Sequence, residues 1–121
     1  MFAGGARSLG DVWSHSSTVT ALHPIGDWYV GWDEVKSSFD RVAKASTGGR
    51  VGLSDQLIRV TGDMAYEVGV EHAQFAIAGE PLTVNSRVTN IYCREGDAWK
   101  IVHHHGDRSP GISEALDRSR P

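Results

Sequence analysis

Six histidines occur in this chain of 121 residues, and three of them stand in a row at 103–105, in the stretch WKIVHHHGD. Imidazoles titrate close to neutral pH, so such a run suits metal binding, proton relay or a pH-sensitive interface. Strand alternation puts His103 and His105 on one face with Trp99 and Ile101, and His104 on the other with Lys100 and Val102. Zinc asks for three or four ligands, and two alternate histidines supply only two. A third would have to come from His23, His72, Glu67 or Glu71, and no spacing in the sequence demands it. The site is therefore read without a metal, with His103 and His105 as ligand-facing or interfacial groups, although a bulge in the strand would switch which of the three histidines faces inward.

His23 closes the stretch TVTALHP, where Val19, Ala21 and His23 alternate onto one apolar face. A histidine there is either hydrogen-bonded structure or a base in a pocket. A proton shuttle also needs a group that stabilises oxyanion charge, and the hydroxyls of Tyr66 and Tyr92, on long neighbouring strands, are the candidates. Trp28, Tyr29 and Trp32 cluster beside a turn, where Trp28 and Trp32 suit a flat or apolar ligand. Arg87 sits mid-strand in NSRVTNIY. It either pairs with Glu67 or Glu71 on a neighbouring strand, the favoured reading, or holds a ligand's carboxylate. Glu67 and Glu71, four apart, share one strand face.

These residues need a scaffold, and the patterning supplies one. Residues 6–16 carry the end of a short helix weakened by glycines. After the TVTALHP strand and the IGD turn, Trp32, Val35, Phe39, Val42 and Ala43 recur at three- and four-residue steps. That period predicts an amphipathic helix from Trp32 to about Ala45, stopped by Gly48 and Gly49. VGLSDQLIRVT, MAYEVGVEHAQFAI, LTVNSRVTNIYCR and WKIVHHH then read as strands joined by turns at GD, AGEP and EGDA. Three long hairpins after a helix predict an α+β domain with a curved antiparallel sheet wrapped on helical cover. One domain spans 1–110, and 111–121 is a polar tail.

Composition narrows the partners. The chain is 40% hydrophobic and 22% charged with a net charge of −3 and no basic stripe, which argues against nucleic acid. No apolar run is long enough to span a bilayer. The lone Cys93 precludes an internal disulfide, and MFAGGARSLG lacks the apolar centre of a secretion signal, so a cytoplasmic protein is expected. With no glycine-rich phosphate loop or nucleophile elbow, no cofactor is expected.

Two stretches carry a family resemblance across residues 11–110. TVTALHPIGDWYVGWDEVKSSF is similar to the isomerase pattern in which a strand ends in a P-[VI]-G turn before a helix. RVTNIYCREGDAWKIVHHHGDRSPG resembles SnoaL-like proteins and the calcium/calmodulin-dependent kinase II association domain, where W-x-[IV]-V-H-x-H closes the last strand. The chain thus resembles the cone-shaped superfamily of nuclear transport factor 2, the ketosteroid isomerases and the SnoaL-like cyclases. The resemblance implies a cystatin-like roll around a conical cavity, a small organic ligand in that cavity and a homodimer. It also implies a role for His23, which occupies the slot where the isomerases carry their proton-shuttling aspartate. The chemistry it implies is cofactor-free isomerisation, cyclisation or hydrolysis; the alternative is a non-catalytic ligand-binding or assembly domain. Two departures stand out. The first helix is shorter than the family's, and Asn90, Val68 and Gly106 occupy the positions matched to the association domain's pocket arginines, which argues against the same acidic ligand.

Overall fold

The computed structural model describes residues 9–23, 28–107, 114, 117 and 118. The expected P-[VI]-G turn at 24–26 and most of the expected tail at 111–121 lie outside these residues. The elements run α1 (Leu9–Val12), β1 (Thr20–Leu22), β2 (Trp28–Val30), α2 (Trp32–Ala45), β3 (Ser46–Thr61), β4 (Met64–Ile77), β5 (Glu80–Glu95) and β6 (Ala98–Gly106). They make an α+β fold with one open, curved six-stranded sheet in the order β2-β1-β6-β5-β4-β3. The meander β3–β6 is antiparallel throughout, as the hairpin signals imply. The sheet as a whole is mixed, because β1 joins β6 in parallel, with Ala21 opposite His104.

Helix α2 ends at Ala45, where the apolar stripe stops. Asp33 and Glu34 lie in its first turn and Lys44 in its last, the arrangement that the helix dipole favours. Its inner face presents Val35 and Ser38, both buried, with Phe39 and Trp32 packed beside them. These close on Trp13, Val19, Ala21 and Ile101, four core residues at most 1% exposed. Trp13 packs edge-on against Phe39 with ring centroids 5.9 Å apart, and Ser14 donates its backbone N–H to the Ile101 carbonyl at 2.9 Å. A satellite core forms around Ile77 with Ala45, Phe75, Leu82 and Val84.

Two irregularities in the ladder shape the inner face. In β3 the register slips between Ser54 and Leu57, so Asp55 and Gln56 have no direct partner in β4. Gly69 lies opposite that bulge, and a Cβ there would come within 3.0 Å of the Ser54 carbonyl oxygen; glycine is what lets the bulged strand approach. In β6 the register slips between the pairs Ile91–His103 and Tyr92–Ile101, leaving Val102 as the extra residue. That residue reverses the alternation. Ile101 and His104, three apart, both end up buried on the same face.

The sheet encloses its concave side only in part. Ile58 and Val60 share the face of Glu67 and Ala65 but are 50% and 62% exposed, so the roll is open along β3.

Candidate functional site

The concave face carries a polar layer beneath α2. His23, Ser38, Glu67, Glu71, Ser86, Asn90 and His104 are all buried there. Their hydrogen bonds fix which atoms hold protons. Ser38 Oγ donates to the Val35 carbonyl at 2.6 Å, so the 2.6 Å contact with His23 Nε2 is one in which the imidazole N–H donates. Asn90 Nδ2 donates to Glu67 Oε1 at 3.0 Å, which leaves Asn90 Oδ1 to accept from His104 Nδ1–H at 2.6 Å. The two imidazoles therefore hold opposite tautomers, 6.1 Å apart between ring centroids. His104 Nε2 is left as a buried acceptor with no hydrogen-bond partner among the described residues.

Glu67 anchors this layer. Tyr92 OH donates to its Oε1 at 2.9 Å, and the Gln56 amide, turned inward by the β3 bulge, donates to its Oε2. Burial, then the neighbouring Glu67, pushes the Tyr92 hydroxyl well above the ordinary phenol range. Burial is also the main cause that lowers both histidines: His23 to about 4, helped by the Arg41 charge, and His104 to about 3, helped by His23. Both are neutral at pH 7. Phe39 packs edge-on to His23 with centroids 4.3 Å apart, closing the apolar side of the pair.

The residues singled out in the sequence divide between the two faces. His23 and Tyr92 both lie on the concave side, His23 bonded to Ser38 and Tyr92 to Glu67. Trp32 stays at the rim, stacked on His15 with centroids 4.6 Å apart and tilted against Trp13. Trp28, 65% exposed, lines an open groove with Tyr29, Asp33, Glu34, Ser37 and Arg41, apart from the buried pair. Tyr66, Arg87, His103 and His105 are corrections to the expected lining, because each lies on the outer face. Tyr66 falls between inward Ala65 and Glu67 and is 46% exposed. Arg87 lies opposite Val70 and pairs with Asp107 at 2.7 Å; Glu67 and Glu71 point to the other side of the sheet. The Arg87–Asp107 bond holds the arginine above, and the aspartate below, their ordinary ranges. His103 Nδ1 meets Thr20 Oγ1 at 2.6 Å, and burial, then the His105 charge, lowers its pKa.

Sequence reasoning left open which of the three histidines faces the cavity and did not single out Asn90 as a site residue. The alternation rule assigns His104 to the face of Val102, and only the extra residue in β6 turns it inward. An asparagine inside a β-branched strand was the available signal for Asn90, but its partner depends on the register that sets it opposite Glu67. Among the described residues no three His, Cys, Asp or Glu side chains converge as a metal cage.

With this geometry in place, the comparisons with known proteins are specific. The model of the SnoaL-like domain matches residues 4–109. A candidate dehydratase of the NTF2-like family from Streptomyces avermitilis is 28% identical over 75% of this chain, with a TM-score of 0.64. The chain spans 65% of that protein's length, less than two thirds. An NTF2-like superfamily protein from Salmonella enterica serovar Typhimurium superposes with a TM-score of 0.73 at 21% identity, covering 85% of this chain and 78% of that one. A candidate calcium/calmodulin-dependent protein kinase II association domain from Xanthomonas campestris gives 0.71 at 18% identity, covering 84% and 72%. No curated protein matches the chain.

Proposed function

This chain belongs to the SnoaL-like domain family, and on that footing we propose that its concave face binds a small organic molecule and moves a proton on it without a cofactor. The observation that carries the reading is His104 Nε2, an imidazole acceptor buried beside His23 with its lone pair unspent among the described residues. His104 is the base, and Asn90 holds its tautomer. His23, in the slot of the isomerases' proton shuttle, is the second imidazole. Because the pair lies so close, protonation of one disfavours protonation of the other, so it carries one proton at a time. Bases held this far below neutrality are weak, so the substrate must itself be acidic at carbon or bear an easily lost hydroxyl. Tyr92 OH is committed to Glu67, so it does not serve as an oxyanion donor in this arrangement. A ketone with activated α-protons, or a β-hydroxy ketone that dehydrates, fits both conditions; the dehydratase similarity points the same way.

The test is solvent deuterium exchange into 2-tetralone, a flat ketone with acidic α-protons, followed by proton NMR. The wild type is expected to speed exchange about a hundredfold over buffer, the lower end of positioned acid–base catalysis. His104→Ala and His23→Ala should each return the rate close to that of buffer. Equal rates for the three proteins would defeat the catalytic reading and leave a binder.

A second reading, assembly, is favoured by one surface. Leu57, Met64 and Tyr66, on the outer face at the β3–β4 turn end, are 42–52% exposed. An apolar cluster of this kind marks an interaction site. A homodimer through it should appear in sedimentation equilibrium and dissociate in a Leu57→Asp variant; a monomer at every concentration would exclude it. The lone, half-buried Cys93 is consistent with a cytoplasmic setting.

A further inference from the structure

A second constellation lies on the opposite, outer face of the sheet and is independent of the His23–His104 reading. His72 in β4 stands between Ser54 in β3 and Asn85 in β5, on three adjacent strands. Ser54 Oγ is 2.6 Å from His72 Nε2, and His72 Nδ1 is 2.6 Å from Asn85 Oδ1. An amide oxygen can only accept, so His72 Nδ1 carries the ring proton and Nε2 is the acceptor for the serine hydroxyl. This is the order of a nucleophile, a base and a residue that orients the base, each within hydrogen-bond reach of the next. We propose that Ser54, His72 and Asn85 form a serine-nucleophile site for short-chain carboxylic esters.

Two further features serve that chemistry. Ser54 sits at the shoulder of the β3 bulge, on the sheet's edge strand, and the two residues after it are outside the β4 ladder. The Asp55 φ of 54° turns the backbone away from the regular strand there. In this site the oxyanion role falls to the backbone N–H groups of Asp55 and Gln56, which follow Ser54 and have no register partner in β4. On the same face, next to Ser54 through Asp55 and Val70, an open concavity of about 460 Å³ is lined by Val68, Val70 and Thr89 together with His105 and the Arg87–Asp107 pair, room for a small acyl group.

The step balances without a co-reactant other than water. Ser54 Oγ attacks the ester carbonyl carbon while its proton passes to His72 Nε2. The tetrahedral adduct collapses, the C–O bond to the alcohol breaks, and the alcohol leaves with that proton. Water, giving a proton to His72, then attacks the acyl-serine, and the acid is released as the proton returns to Ser54. His72 takes up and returns one proton in each half, and Asn85 is a positioning residue that keeps Nδ1 protonated.

The probe is a fluorophosphonate that labels activated serines, with the labelled peptide identified by mass spectrometry, alongside p-nitrophenyl acetate hydrolysis by the full chain. Label is expected at Ser54, and p-nitrophenyl acetate turnover should fall about a hundredfold in Ser54→Ala and His72→Ala. These side chains lie on the outer face, away from the core, so the variants should keep the wild-type circular dichroism spectrum and melting temperature. Asn85→Ala should lower turnover as well, whereas Asn85→Asp, which still accepts from Nδ1–H, should restore most of it; a merely structural asparagine would not show that rescue. Absence of label at Ser54, or hydrolysis by Ser54→Ala equal to that of the wild type, overturns the proposal.

Discussion

Acidification from pH 6.5 to about 5 is expected to cost the folded protein about 3 kcal/mol of stability. The cause is the buried imidazole pair. In the unfolded chain each ring titrates near 6.5, whereas in the fold His23 is lowered to about 4 and His104 to about 3. Between those values the unfolded chain binds two protons that the folded chain refuses, so stability rises with pH across the window. It is complete above pH 6.5, declines as pH falls, and levels off only once the folded rings themselves protonate, near pH 4 and pH 3. Each ring's slope is about 0.7 kcal/mol per pH unit at pH 6.5 and approaches about 1.36 kcal/mol per pH unit near pH 5. A small domain holds only about 5–15 kcal/mol in all, so the loss is a large share. Urea unfolding followed by tryptophan fluorescence at a series of pH values measures it. The slope should be halved in His104→Leu, which removes one of the two rings. A flat profile for the wild type between pH 6.5 and 5 would show that the rings are not held neutral by burial.

Glu67→Leu is the second substitution with a large expected effect, a loss of about 3–5 kcal/mol. Glu67 is 5% exposed and accepts from three donors on two strands. Gln56 lies in an exposed part of β3 and can turn to water once released. Asn90, 2% exposed, cannot, and Tyr92 is half-buried, so both are left with unmet donors. The damage reaches the imidazoles, because an Asn90 amide freed from Glu67 can rotate and offer N–H to His104 Nδ1. Imidazole nitrogen NMR should then show His104 losing its Nδ1–H tautomer. The double variant Glu67→Leu/Asn90→Leu, which removes both partners together, should recover part of the lost stability. If Glu67→Leu unfolds at the wild-type urea midpoint, the carboxyl group is not what holds this layer together.

The elements were legible because their signals are local. The three- and four-residue recurrence from Trp32 to about Ala45 matches α2, although Gly48 and Gly49, read as its stop, already lie within β3, and the GD at 62–63 is the turn between β3 and β4. Val19, Ala21 and His23 alternate inward as the strand pattern says, with exposures of 0%, 0% and 8%. What was not legible depends on pairing between distant segments. One extra residue at Val102 exchanges the faces of three consecutive histidines, and no residue type in WKIVHHHGD announces it. Arg87 looks like a partner for Glu67 or Glu71 until the register sets it opposite Val70, which sends it outward to Asp107, twenty residues further on. The parallel docking of β1 on β6 is of the same kind. Three strand residues leave no pattern that names their neighbour.

That parallel docking governs when the concave site comes into being. The β3–β4 and β4–β5 hairpins close through contacts between consecutive segments, and they can zip while later residues are still absent. His23 reaches His104 only after β6 has been laid down, eighty-one residues on, and β1 has closed that loop. The imidazole pair is therefore the part of the concave layer that depends on the longest-range pairing between these strands.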